Sequence, residues 1–123
     1  MARILLVDDF QPFRIFLTSL LGGNGYVLHE ASDGLQALEK AQELQPDLIL
    51  LDIHLPKLNG FEVARRVREL APSSKIVFFT LESSAEVVQE ALNVGALRIC
   101  FKETSKSRPA SGFGRSSPGR AFY

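Results

Sequence analysis

The chain has 123 residues with equal numbers of acidic and basic side chains, 46% hydrophobic and 23% charged. That suits one globular domain with a real core, and the charged fraction is ordinary for a globular protein. One cysteine, Cys100, rules out an intramolecular disulfide and any cysteine-based zinc cluster, and no stretch is apolar and long enough to span a bilayer. The apolar run after Met1 is too short before its acids for a secretory signal, so the expected location is cytoplasmic.

In chain order, the pattern alternates strand and helix. Strand-like runs are expected at Arg3–Asp8, Tyr26–Glu30, Asp47–Asp52, Lys75–Thr80 and Leu97–Phe101. The second is the least apolar and reads as an edge. Between them lie four amphipathic stripes: Phe13, Phe16, Leu17, Leu20 and Leu21; Leu35, Leu38, Ala41 and Leu44; Phe61, Ala64, Val67 and Leu70; Val87, Val88, Ala91 and Leu92. Asn59 with Glu62, and Ser83 with Glu86, have the spacing of helix-start capping boxes. The run Gly22-Gly23-Asn24-Gly25 stops the first helix, and Pro46, Pro72 and Gly95 follow the others. Alternating units with short links predict an α/β fold: a doubly wound five-stranded parallel sheet with helices on both faces and strand order 2-1-3-4-5.

The regularity stops near residue 98. Residues 103–123 carry five serines and break any helix with Pro or Gly at 109, 112, 114, 118 and 119. The expected division is a domain over 1–102 and an irregular, Ser/Arg/Gly/Pro-rich tail over 103–123, with the fifth helix missing. Charge divides similarly. Residues 1–97 hold 8 Lys/Arg against 13 Asp/Glu, and residues 98–123 hold 6 against 1. The acidic body argues against direct DNA binding, and the tail carries no nucleic-acid motif. A sheet face without its last helix leaves apolar surface exposed, so self-association, for instance as a homodimer, is expected.

Four strands end in groups with complementary chemistry. Asp8-Asp9 closes the first, Asp52 the third, Thr80 the fourth and Lys102 the fifth. Alone, each has an ordinary reading: a helix cap, a solvated strand end, a β-branched strand residue, a surface ammonium. Together, at the carboxyl ends of adjacent parallel strands, they make a crevice for a metal and a phosphoryl group. Clustered carboxylates favour a hard divalent cation, and Mg²⁺ fits best. An Asp52 oxygen can attack phosphorus and give an acyl phosphate, with Thr80 and Lys102 stabilising the transferring anion.

The segments LLVDD at 5–9, LLDIHLPKLNGFE at 50–62, VFFT at 77–80, GA at 95–96 and Lys102 resemble the receiver domains of two-component response regulators. The resemblance covers residues 2–102. It implies Asp52 as phosphoacceptor, Asp8 and Asp9 as the Mg²⁺ acid pair, and the main-chain carbonyl of His54 as a further ligand. It implies Thr80 as the switch hydroxyl, Lys102 as the phosphate-pairing lysine, and Pro56 and Gly60 as parts of the loop after the acceptor. The implied partners are a sensor histidine kinase and a downstream effector protein or missing output domain. The chain would accept phosphate rather than act as an enzyme. Departures from the family pattern are Leu81 after the hydroxyl, Ile99 where an aromatic is usual, Arg98 where a small residue is common and Glu103 after the lysine. They sustain two other readings: a non-switching, receiver-like interaction module, or a truncated or frame-altered fragment of a longer response regulator. A flavodoxin-like carrier is disfavoured because Asp8-Asp9 would repel a bare phosphate.

Overall fold

The computed structural model describes residues 2–81 and 84–102. Five strands alternate with four helices: β1 (Arg3–Val7), α1 (Gln11–Leu21), β2 (Val27–Ala31), α2 (Gly34–Leu44), β3 (Leu48–Asp52), α3 (Gly60–Leu70), β4 (Lys75–Thr80), α4 (Ala85–Asn93) and β5 (Arg98–Phe101). The strands form one parallel sheet in the order β2-β1-β3-β4-β5, as the sequence pattern predicts. The predicted tail, and with it the question of a fifth helix, lies outside the described residues.

Strand alternation builds two cores. Leu5, Val7, Ile49, Leu51, Ile76, Phe78 and Ile99 point to one face, where Ala37 and Ala41 of α2, Val63, Ala64 and Val67 of α3, and Val87 and Ala91 of α4 cover them. Ile4, Leu6, Leu50, Val77 and Cys100 point to the other, against Leu17, Phe13 and Leu21 of α1. Because consecutive strand residues serve opposite faces, a strand buried on both reads as an unbroken apolar run. Among the described residues, α1 is the helix on the second face.

The helix ends follow their capping chemistry. Asp33 starts α2 by accepting the Gln36 N–H at 2.8 Å, and Asn59 starts α3 by accepting the Glu62 N–H at 3.0 Å. The cap of α4 is Ser84, which accepts the Val87 N–H at 3.2 Å, so the expected box at Ser83 and Glu86 falls one residue early. A serine pair leaves the sequence unable to say which hydroxyl caps. Three stripes also need correcting. Phe16 and Leu20 on α1 are 54% and 60% exposed, Leu35 on α2 is exposed too, and Leu92 on α4 is 50% exposed. In each case the helix lies with a narrower face on the sheet than its apolar residues alone suggest. Cys100 is a packed thiol, as expected; burial pushes its pKa up to about 11.

Candidate functional site: an acidic crevice at the strand ends

Register brings the acids together before any side chain is considered. Val7 pairs with Leu51, so the next residues, Asp8 and Asp52, stand abreast. Asp52 pairs with Phe79, which sets Thr80 one step further along. The Lys102 N–H donates to the Thr80 carbonyl at 2.7 Å, carrying the ladder past the end of β5 and fixing the lysine beside that strand end. Parity then divides the group. Asp8, Asp52 and Lys102 follow Leu6, Leu50 and Cys100 toward the α1 face, whereas Thr80 follows Phe78 toward the face covered by α2, α3 and α4.

Asp8 and Asp52 are 2% and 7% exposed, Thr80 is fully buried, and Asp9 is exposed at the mouth. Lys102 Nζ donates to Asp8 Oδ2 at 2.6 Å and lies 3.7 Å from Asp52 Oδ1. The ammonium therefore sits closer to Asp8 than to the expected phosphoacceptor. Asp8 Oδ1 also accepts the Phe10 N–H at 2.9 Å. The first turn of α1 has no side-chain cap, so neither acid of the pair serves α1 in that role. Burial raises the Asp52 pKa to about 6; Lys102 pulls it down, Asp8 pushes it up, and the Ile53 N–H and Asp9 act more weakly in opposite directions.

Carboxylate oxygens of Asp8, Asp9 and Asp52 lie within 4.8 Å of one another. Three carboxylates meet one ammonium, two of the acids are buried, and every donor is oxygen. That set fits a hard divalent cation of the Mg²⁺ kind. His54 is exposed in the loop that follows β3, and its neighbour Ile53 accepts the Gly60 N–H at 2.7 Å. Gly60 presses on this loop. A Cβ there would lie 2.2 Å from the Asp52 carbonyl oxygen and 2.8 Å from Ile53 Cα. Leu81 is 59% exposed, so most of its side chain faces away from the protein interior, while Ile99 is fully buried in the core on the face shared with Thr80.

The structure adds two residues to this end of the sheet, one known from the sequence only as part of a helix stripe and one without a sequence signal of its own. Phe13, read as an ordinary member of the α1 stripe, puts its ring 4.4 Å from Lys102 Nζ. Arg14 donates to the Asp8 carbonyl at 2.5 Å and pairs with Glu30 at 2.8 Å, tying α1 to β1 and β2. The signal for both lay in parity and in the short link after Asp9, which bring the first turn of α1 over the strand ends where Asp8 and Lys102 point.

Comparison with known proteins agrees with this geometry. Residues 4–109 match the response regulator receiver domain as a family. The chain is 34% identical over 107 residues to the chemotaxis protein CheY of Thermotoga maritima, covering 86% of this chain and 89% of that protein. It is 41% identical over 104 residues to the nitrate/nitrite response regulator protein NarL of Escherichia coli, covering 83% of this chain and 48% of that protein. It thus spans about half the length of that regulator. The Vibrio cholerae chemotaxis protein CheY4 matches the fold with a TM-score of 0.78 at 36% identity, covering 85% of this chain and 88% of that one. The family match over most of the chain, together with the acids, hydroxyl and ammonium gathered at the ends of a 2-1-3-4-5 sheet, makes this chain a member of the receiver-domain family of two-component response regulators.

Proposed function

We propose that the chain accepts a phosphoryl group on Asp52 from a phosphohistidine of a sensor histidine kinase. The observation that carries this reading is the buried Asp52 carboxylate clustered with those of Asp8 and Asp9, with the Lys102 ammonium 3.7 Å away. An Asp52 oxygen attacks phosphorus, the N–P bond breaks, the electron pair goes to the leaving imidazole with a proton, and an aspartyl phosphate forms. Asp8, Asp9, Asp52 and the His54 carbonyl are the proposed Mg²⁺ ligands; the bound ion would neutralise charge on the phosphoryl oxygens. Lys102, 3.7 Å from Asp52, supplies the ammonium for one of those oxygens. Attack requires the ionised form of Asp52, which its pKa of about 6 provides at neutral pH.

In this reading Thr80 is the switch hydroxyl. Its parity aims it toward the face covered by α2, α3 and α4, and a phosphoryl oxygen at Asp52 would offer it a new acceptor, shifting an equilibrium between two arrangements of α4 and β5. The chain acts as a stoichiometric acceptor rather than a turnover enzyme, works in the cytoplasm, and passes its state to an effector protein or an output domain without binding DNA itself. Its exposed apolar residues on α1 favour self-association. The receiver unit is proposed to end at residue 102, with 103–123 as a tail; the family match extends to residue 109.

A second reading, the non-switching interaction module, is favoured by Ile99. It is a fully buried aliphatic side chain on the Thr80 face, with no polar tip or ring to change its exposure. Two measurements separate the readings. Intact mass after acetyl phosphate with Mg²⁺ reports phosphorylation: one adduct that is absent in Asp52→Asn supports the acceptor, and no adduct on the folded protein refutes it. Amide spectra with beryllofluoride and Mg²⁺ report switching: shifts reaching from Thr80 into α4 support the switch, and shifts confined to the crevice support the module.

A further inference from the structure

We infer that Phe13 is a positioning residue for phosphoryl transfer, acting as an aromatic platform that holds the Lys102 ammonium at the mouth of the crevice. The inference rests on the proposed role of Asp52 and extends it to a helix that contributes no acid to the site.

Lys102 Nζ has three neighbours that oppose its charge: Asp8 at 2.6 Å, Asp52 at 3.7 Å and the Phe13 ring, whose centroid is 4.4 Å away. The lysine side chain is only 11% exposed. A desolvated ammonium gains most from the negative face of a ring. The ring itself is held from two sides. It packs against Phe79 of β4 with centroids 5.7 Å apart, and against Phe16 at 5.8 Å. It also sits one residue before Arg14, whose guanidinium anchors α1 to the Asp8 carbonyl and Glu30. The platform is therefore fixed relative to both β1 and β4.

Its chemistry suits a cation that must change partners. In the unphosphorylated site Lys102 is closest to Asp8. To meet a phosphoryl oxygen on Asp52 it must exchange some of that contact for a new one. A carboxylate in place of Phe13 would hold the ammonium too strongly. An aliphatic side chain would exclude water but offer no attraction. The ring attracts the ammonium without spending one of its three N–H donors, which leaves them for Asp8 and the incoming oxygen. Phe13 thereby keeps Lys102 near Asp52 while the hydrogen bond is exchanged.

The test is the rate of phosphorylation of the full chain by acetyl phosphate with Mg²⁺, read by intact mass, in a cycle of Phe13→Leu and Lys102→Gln, with Phe13→Tyr as the conservative variant. Phe13→Leu keeps apolar volume and removes the ring. It should slow phosphorylation roughly 3- to 30-fold, the span of cation–π contacts from partly exposed to desolvated settings. Phe13→Tyr should keep the wild-type rate. In the Lys102→Gln background, Phe13→Leu should have no further effect, because the ring then has no cation to hold. An unchanged rate in Phe13→Leu overturns the inference. So does an equal loss with and without Lys102, which would mean that Phe13 acts through packing alone. Absence of an adduct on the folded wild-type protein would instead fell the Asp52 reading, and this inference with it.

Discussion

Replacing Asp52 with asparagine should stabilise the metal-free protein, and the gain should grow with pH. Asp52 is 7% exposed, and burial raises its pKa from 3.8 to about 6. The folded protein therefore holds this proton more tightly than the unfolded chain does. Between those two values the unfolded chain has released the proton and the native state has not. The unfolded state binds fewer protons there, so stability falls as pH rises through that window and levels off above it. A shift of about two units, at about 1.4 kcal/mol each, is roughly 3 kcal/mol. Screening at the open side of the crevice brings the working figure to about 2–3 kcal/mol. For a domain near this size that is on the order of 10 °C in Tm. Urea unfolding of wild type and Asp52→Asn, in EDTA from pH 4 to pH 7.5, isolates the effect, since carboxylates unaffected by the substitution cancel in the difference. The two curves should converge near pH 4 and separate by that amount at neutral pH. Parallel curves, or a variant less stable than wild type at pH 7.5, would refute the argument that burial strains this carboxylate.

Three further outcomes follow from the same geometry. Mg²⁺ should raise the neutral-pH stability of the wild type, by about 2.7 kcal/mol at a hundredfold excess over its dissociation constant; Asp9→Asn, a change at an exposed residue, should weaken that response in a calorimetric titration while leaving metal-free stability nearly unchanged. Gly60→Ala should cost about 1–3 kcal/mol, because a Cβ 2.2 Å from the Asp52 carbonyl oxygen forces the loop to move, and it should also slow phosphorylation; a wild-type Tm and rate would contradict the role given to that contact. Asn59→Ala should cost about 1 kcal/mol by removing the cap on α3, with the phosphoryl adduct still forming, as thermal melts and intact mass would record.

Much of this molecule is legible without coordinates, for physical reasons that can be named. The doubly buried strands announce themselves as unbroken apolar runs, and β4 spans the predicted Lys75–Thr80. The candidate site is legible because Asp8, Asp52 and Lys102 each interrupt or end such a run with a charge. What the pattern hid was orientation. The α1 stripe includes Phe16 and Leu20, which the structure exposes, because hydrophobicity says that a residue prefers burial and not whether a partner lies within reach. Phe13 was hidden for the opposite reason: its packing role and its contact with Lys102 call for the same side chain. The capping serine of α4 was misplaced by one because two adjacent hydroxyls compete for the role, and only the backbone at Ser84 decides it.

The central claim, that Asp52 is the residue that carries the phosphoryl group, is tested most directly by locating the group. Borohydride reduces an aspartyl phosphate to homoserine, and peptide mass spectrometry then reads the modified position. Treatment with acetyl phosphate and Mg²⁺ should yield homoserine at position 52 alone, with none in the absence of Mg²⁺. Homoserine at position 8 or 9 instead, or an unmodified protein that is demonstrably folded, would contradict the account.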